Sequence, residues 1–229
     1  MGYTKTIVCL ANSRKTSGRC IAGRELAAGK IGPWIRPVSA RDTREISEDD
    51  RRYEDGTGAA VYDVIEIDML QYVGENYQSE NHLIDDGYHW RKVGRWNWQR
   101  LQALVEPIQG PLWLNGHKTY YGFNDKIPEE FVVKQNSSLA LVCANELKIN
   151  VQPEGGMYGP AKRRVRASFR LAGITYSLSM TDPVVETAYL GGADGVFPMD
   201  DAILVISLSE IFKGFAFKLV ATIFTPDRQ

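Results

Sequence analysis

The sequence predicts an all-β protein with a minor helix. The segments that predict strands, some alternating and some continuously apolar, outnumber those that predict helices by several to one, and Gly-rich turns separate them. Residues 96–105 are the clearest helical segment, with apolar side chains at helical spacing. Short strands with Gly-rich turns favour small barrels or sandwiches. Hydrophobic residues make up 44% of the chain, which is enough to form a core.

The first elements follow from their composition. Residues 5–11 are an apolar run that predicts a buried strand, and the polar stretch 12–18 predicts a turn or loop. Residues 19–23 then read as a returning strand. Residues 31–38 contain two prolines, which hold the chain extended and out of a helix.

The middle of the chain changes character twice. Residues 42–58 are rich in Asp and Glu and predict either a short polar helix or an exposed loop, whereas residues 61–73 alternate and predict a strand. The helix predicted over 96–105 ends where Pro and Gly follow. We expect the domain boundary close to this helix, with one domain in residues 1–110 and a second in residues 111–229.

The second half is more strongly β. Residues 138–151 hold an apolar run followed by an alternating one. Residues 162–180 predict two strands joined at Ala172-Gly173, a hairpin signal. Residues 202–224 contain two apolar runs separated by Lys213-Gly214.

Charge is segregated along the chain although the net charge is only −1. Residues 1–41 hold eight Lys or Arg and one acid, Glu25, and so carry +7. Residues 160–180 hold five Lys or Arg and no acid, whereas residues 42–86 hold fourteen acids and three Arg and carry −11. The near-neutral total excludes a uniformly basic protein but leaves room for local basic surfaces.

The second basic zone has the period of a strand. Alternate strand residues face opposite sides, so the apolar residues from Val165 to Leu171 can pack inward. Cations on the other face are then about 7 Å apart, two strand rises, which is close to the phosphate repeat of an extended single strand. A solvated outer strand balanced by the acidic zone is the alternative. The residues expected on the polar face are Lys162, Arg164, Arg166, Ser168 and Arg170.

The first basic zone is a polar loop between strands, and it lacks the Walker pattern of glycines. Its hydroxyls, N–H groups and cations are suited to a phosphate or a base edge, and a plain basic turn is the favoured alternative when the loop is taken alone. Trp34 beside Arg36 is either a stacking surface or part of the core. The loop residues of interest are Asn12, Ser13, Arg14, Lys15 and Arg19.

Catalytic, metal and redox sites have little support. The three His match no metal-ligand spacing, so we expect no metal and no cofactor. The three Cys form no disulfide framework, and neither a signal peptide nor a membrane span is evident, so we expect a cytoplasmic protein without membrane contact. Thr181 and Asp182 precede Pro183 and are either polar readers of a base or turn residues.

Several stretches resemble the prokaryotic dual OB-containing domain family, over nearly the full chain. They are IVCLANSRK (7–15), GRCIAG (18–23), WIRPVS (34–39), ENHLID (80–85), LWLNG (112–116) and YSLSMTDP (176–183). The resemblance implies two OB-like small β-barrels in tandem and, by inference, nucleic-acid binding, with a place in prokaryotic defence systems. OB barrels bind oligonucleotides across a strand face, which is consistent with the basic zones.

The leading hypothesis is therefore a nucleic-acid-binding module for single-stranded or structured DNA or RNA. The residues expected to bind are Asn12, Ser13, Arg14, Lys15, Arg19, Trp34, Arg36, Lys162, Arg164, Arg166, Arg170, Thr181 and Asp182. One alternative is an enzyme of nucleotides or modified bases that uses Asp182, Cys20 or His82. Another is an adaptor that binds a protein partner, for example through an apolar face of the predicted helix.

Overall fold

The structure is a computed structural model and describes residues 2–156, 159–200 and 202–228. It divides into two compact units, one ending at residue 101 and the other covering residues 102–228. The division falls within the segment for which the sequence predicts a helix. The chain is mostly β, as predicted, and the two units are described in turn.

The first unit is a closed barrel of five strands with a sixth strand at its side. Its strands are β1 (Tyr3–Lys15), β2 (Gly18–Ala27), β3 (Lys30–Val38), β4 (Asp63–Tyr72), β5 (Asn81–Ile84) and β6 (Arg91–Arg95). The order β1-β2-β3-β5-β4 is closed by pairing of β1 with β4, and β6 pairs with β4. All pairings are antiparallel except that of β3 with β5.

The core of the first barrel comes from the alternating apolar residues of these strands, among them Ile7, Cys9, Ile35 and Ile65. The prediction of a loop over residues 12–18 is wrong for most of its length. Strand β1 continues to Lys15 and leaves a two-residue turn before β2, because both strands pair along their whole polar ends. Residues 42–58 form turns and isolated bridges rather than a helix.

The second unit contains a second closed barrel with additional elements. The elements of this unit, barrel strands included, are β7 (Lys126–Pro128), α2 (Glu129–Val132), β8 (Leu139–Glu154), β9 (Lys162–Leu171), β10 (Ile174–Met180), α3 (Pro183–Leu190), β11 (Gly195–Pro198), β12 (Ala202–Leu208) and β13 (Phe215–Phe224). A short helix α1 (Trp98–Gln102) precedes them and is shorter than predicted. Among the described residues, no helix is long and apolar enough to span a bilayer.

The two barrels share one connectivity. In the second, the order β10-β9-β8-β12-β13 is closed by parallel pairing of β10 with β13. In each barrel the first strand pairs with the second and fourth, and the third runs parallel to the fifth. This is the arrangement of an OB fold, a five-stranded Greek-key barrel. The expectation of two OB-like barrels is confirmed.

The hairpins of the second barrel follow from its turn residues. Ala172 and Gly173 adopt φ of 48° and 78°, and Lys213 and Gly214 adopt 52° and 77°. Two consecutive left-handed residues form the tight turn whose twist matches that of paired strands. Strands β9 and β10 therefore pair directly, as the sequence predicts.

An added segment completes the second barrel between β10 and β13, which pair only at Ser179 and Met180. Phe123 exchanges backbone hydrogen bonds with Ser177 of β10, and β7 pairs with β13. Residues 123–128 thus fill the opening between the two strands. This segment also brings residues 119–121 close to the outer surface of β9.

Candidate nucleic-acid interface

Strand β9 has the two faces that the sequence predicts. Val165, Ala167, Phe169 and Leu171 lie in the core of the second barrel. The alternate residues point away from that core and meet polar residues of the neighbouring strands. A hydrogen-bonded row crosses this polar face from Asn150 of β8 through Ser168 to Ser177 of β10.

Arg166 lies on this face but is only 7% exposed, because its guanidinium is enclosed by two carboxylates. It binds Glu154 through two bonds, of 2.7 and 3.1 Å, and approaches Asp125 at 3.5 Å. Its charge is therefore compensated within the barrel. Arg170 is exposed and pairs with Glu146 at 3.5 Å, an exposed contact of small energetic weight.

A cavity of about 540 Å³ opens at the first half of this strand. Its lining combines cations, aromatic rings and backbone: Thr119, Tyr120, Tyr121, Glu154, Gly155, Pro160, Lys162, Arg164 and Arg166. Within the described residues, Lys162 and Arg164 have no ion-pair partner. Arg166 with Glu154 and Asp125 carries a net charge of −1, and Lys162 and Arg164 add +2, so the charges at the cavity sum to +1.

The aromatic wall is held by Asp125. Its carboxylate accepts hydrogen bonds from the backbone N–H and the hydroxyl of Thr119, at 2.7 and 2.5 Å. A Cβ at Gly122 would lie 1.7 Å from Asp125 Oδ2, so the loop passes the carboxylate only because residue 122 is glycine. The loop presents Tyr120, which is 80% exposed, with its ring 4.8 Å from that of Tyr121.

The first basic zone has a different environment. At the β1–β2 turn, the Glu45 carboxylate accepts hydrogen bonds from Ser17 N, Ser17 Oγ and Gly18 N, at 3.1, 2.8 and 3.3 Å. The hydrogen bond from the Ser17 hydroxyl is the largest cause that lowers the pKa of Glu45, and the hydrogen bonds from the two backbone N–H groups lower it further. The donors that the sequence offers to a phosphate are thus used by a carboxylate of the same chain.

The other predicted residues of this zone also make internal contacts. Asn12 donates to Ala59 O at 2.7 Å, and Ser13 is 4% exposed. Arg19 binds Glu48 at 3.1 Å. Arg14 and Lys15 are strand residues paired in register with Arg19 and Gly18. We therefore find no open phosphate cradle among these described residues.

Trp34 and Arg36 are mostly covered. Trp34 is 9% exposed, and the guanidinium of Arg24 lies 5.7 Å from the centre of its ring. Arg36 is 4% exposed and forms a buried ion pair with Glu80 at 3.3 Å. Neither side chain offers an open surface for stacking in this structure.

Thr181 and Asp182 begin helix α3. Asp182 is 1% exposed, and its carboxylate accepts hydrogen bonds from Val184 N and Val185 N, which is an N-cap. It also accepts from Ile223 N and pairs with Arg228. Thr181 is 9% exposed and donates to Val220 O through its backbone and its hydroxyl. The turn interpretation fits both residues, and neither reaches the cavity lining.

His82, one of the residues named for the enzyme alternative, is buried and hydrogen-bonded within the first barrel. His82 Nδ1 lies 2.6 Å from the hydroxyl of Tyr3, and burial lowers the pKa of this histidine. Among the described residues, no three His, Cys, Asp or Glu side chains are grouped to hold a metal ion.

Sequence reasoning missed Tyr120, Tyr121 and Glu154. Two adjacent tyrosines between Gly116 and Gly122, in a stretch without strand or helix period, are the signal that could have found the aromatic wall. Glu154 ends β8 opposite Lys162, a register that the sequence does not reveal.

The described geometry defines a protein of two OB barrels, the second of which carries a cationic, tyrosine-walled cavity on its β9 face. The family model of the dual OB-containing domain matches residues 5–223, and the chain belongs to this family. No curated protein and no solved structure shows a significant match.

Proposed function

We propose that the second barrel binds single-stranded nucleic acid across the β9 face. Tyr120 and Tyr121 stack on bases, while Lys162 and Arg164 contact the phosphates. The observation that carries the proposal is the cavity in which two tyrosines meet two cations that have no ion-pair partner among the described residues.

The spacing of the cations supports a linear polyanion. Lys162 and Arg164 are two residues apart on one strand face, which separates them by about 7 Å. Arg binds a phosphate through two parallel N–H bonds, and Lys acts as a point charge. Base–aromatic stacking tolerates any sequence, so we expect little sequence preference from this wall.

The proposal assigns other roles to several residues that the sequence suggested. Arg166 supports the cavity through Glu154 and Asp125, and Arg170 is a peripheral backbone contact. In the first barrel, Arg14, Lys15 and Arg19 make secondary contacts to the phosphates of the nucleic acid. The negative charges of Glu45 and Glu48 weaken these contacts.

Fluorescence anisotropy of labelled single-stranded DNA and RNA across a salt series tests the proposal. Removing one cation that binds a phosphate should reduce the slope of log affinity against log salt by about 0.7. We expect Arg164→Gln to show this reduction and Tyr120→Ala to weaken binding roughly 5- to 100-fold. Double-stranded competitors and a pull-down in nuclease-treated lysate identify a duplex or protein ligand instead.

Matched controls come from the first barrel. Arg91→Gln removes an exposed strand arginine that is paired with Glu66 and Asp68, and Tyr88→Ala removes a tyrosine that is 62% exposed. Both are expected to leave binding unchanged. Absence of binding to both polymers, or affinity that does not change with salt, would refute the proposed function.

A further inference from the structure

We infer that the bound strand continues beyond the cavity, across Lys126, onto an aromatic surface formed by the half-buried Phe215 and the exposed Phe212. This inference rests on the proposed function and extends its footprint from one cavity to a path of several nucleotides. It follows from lysine–phenylalanine pairs on the segment that closes the second barrel.

Three phenylalanines here each have a lysine ammonium over the ring. Lys126 lies 4.0 Å from the ring centre of Phe215, Lys213 lies 5.4 Å from that of Phe212, and Lys134 lies 5.8 Å from that of Phe131. Phe212 is 61% exposed and Phe131 is 43% exposed. A base would stack on the ring face that the ammonium does not cover, and the same lysine would contact its phosphate.

This surface is joined to the cavity by one short segment. Asp125 contacts Arg166 of the cavity lining, and the next residue, Lys126, begins β7 and reaches Phe215. Strand β7 pairs with β13 from Lys126 opposite Phe217 to Pro128 opposite Phe215. Three strand residues span about 10 Å, so the second surface begins within a few nucleotides of the first.

Acidic residues bound the path. Glu129 and Glu130 follow Pro128 directly, and Glu210 lies two residues before Phe212. These carboxylates repel a phosphate backbone, so we expect its phosphates to contact the lysines instead. A footprint of at least about four nucleotides results, at the lower end of the range for one OB fold.

A length series separates this inference from the proposed function. Binding of a dinucleotide and of an octanucleotide is measured by competition for the wild type, Phe212→Ala and Lys126→Gln. We expect both variants to weaken octanucleotide binding at least about fivefold and to leave dinucleotide binding unchanged. Tyr120→Ala should weaken both ligands, because the cavity is common to them.

Phe212→Ala is well suited to this test because the side chain is mostly exposed, and thermal unfolding checks that the fold is kept. Val196→Ala, at a residue 60% exposed on β11, is the matched surface control. Octanucleotide affinity that is unchanged in both Phe212→Ala and Lys126→Gln overturns the extended path and leaves the cavity proposal intact. No binding of either ligand by the wild type overturns both.

Discussion

The ammonium of Lys218 lies 5.2 Å from the centre of the Tyr176 ring inside the second barrel, where Lys218 is 1% exposed. It donates to Leu114 O and to Asn115 Oδ1, at 2.6 and 2.8 Å. Asn115 in turn donates to the Tyr176 hydroxyl. The buried Lys218 thus binds residues 114 and 115 to strand β13, and these residues lead into the loop that carries Tyr120 and Tyr121.

This lysine should make stability depend on pH. Burial lowers the pKa of Lys218 from 10.5 to about 7, and attraction to Asp125 offsets only part of this change. Between about pH 7 and pH 10.5, Lys218 is protonated in the unfolded chain but has lost its proton in the folded chain. The free energy of unfolding therefore rises with pH in this window, by up to about 1.4 kcal/mol per unit.

Urea denaturation of the wild type and Lys218→Met between pH 7 and 8.5 measures the effect. The wild type should gain stability relative to the variant as pH rises. Burial also raises the pKa of Cys9 from 9.0 to about 12, which lowers stability at higher pH, so the comparison stays below that range. Parallel pH profiles of the two proteins would contradict the prediction.

Asp182 is predicted to stabilise the fold without contributing to ligand binding. Asp182→Ala removes the cap of α3 and leaves Arg228 without its carboxylate, so we expect a loss of about 2–4 kcal/mol. Asp182→Asn keeps a capping oxygen and should lose less. Chemical denaturation measures both, and a clear drop in oligonucleotide affinity for a folded Asp182→Asn protein would show instead that Asp182 reads a base.

The polar face of β9 was predictable because its signal is local. Alternation from Val165 to Leu171 alone assigns the buried and polar sides of the strand. The helix α3 was missed although Asp182-Pro183 is a typical helix start, because a turn explains the same residues. Eight residues without a buried side chain also give little apolar period.

The state of each cation was not predictable, because it depends on residues far away in the chain. Arg166 is enclosed by Glu154, 12 residues earlier, and by Asp125, 41 residues earlier, and the turn at Ser17 is occupied by Glu45, 28 residues later. A count of charge by segment places seven net positive charges in residues 1–41 but does not reveal these pairings. Tertiary structure, rather than composition, therefore decides which basic residues remain open to a ligand.

The buried pair of Arg36 and Glu80 is predicted to be a structural element of the first barrel. Both side chains are at most 5% exposed, so removing one partner takes the opposite charge of this pair away from a buried group. We expect Glu80→Ala to reduce the free energy of unfolding by about 3–5 kcal/mol. The exposed pair of Arg170 and Glu146 is the control, and Glu146→Ala should cost about 1 kcal/mol or less. Equal effects of the two substitutions would contradict the assignment.

Gly122 connects backbone geometry to the proposed binding site. A methyl group there would lie 1.7 Å from Asp125 Oδ2, so Gly122→Ala must displace either the loop or the carboxylate that holds Thr119. Displacing either one misplaces Tyr120 and Tyr121 relative to Lys162 and Arg164. We therefore expect oligonucleotide affinity to fall by up to the value of one stacked base, about 1–3 kcal/mol, in a protein that still folds.

Gly191→Ala is the control, since a methyl group there meets only ordinary contacts at 3.4 Å and beyond. Wild-type affinity in the Gly122→Ala protein would show that the tyrosine loop does not form the binding surface.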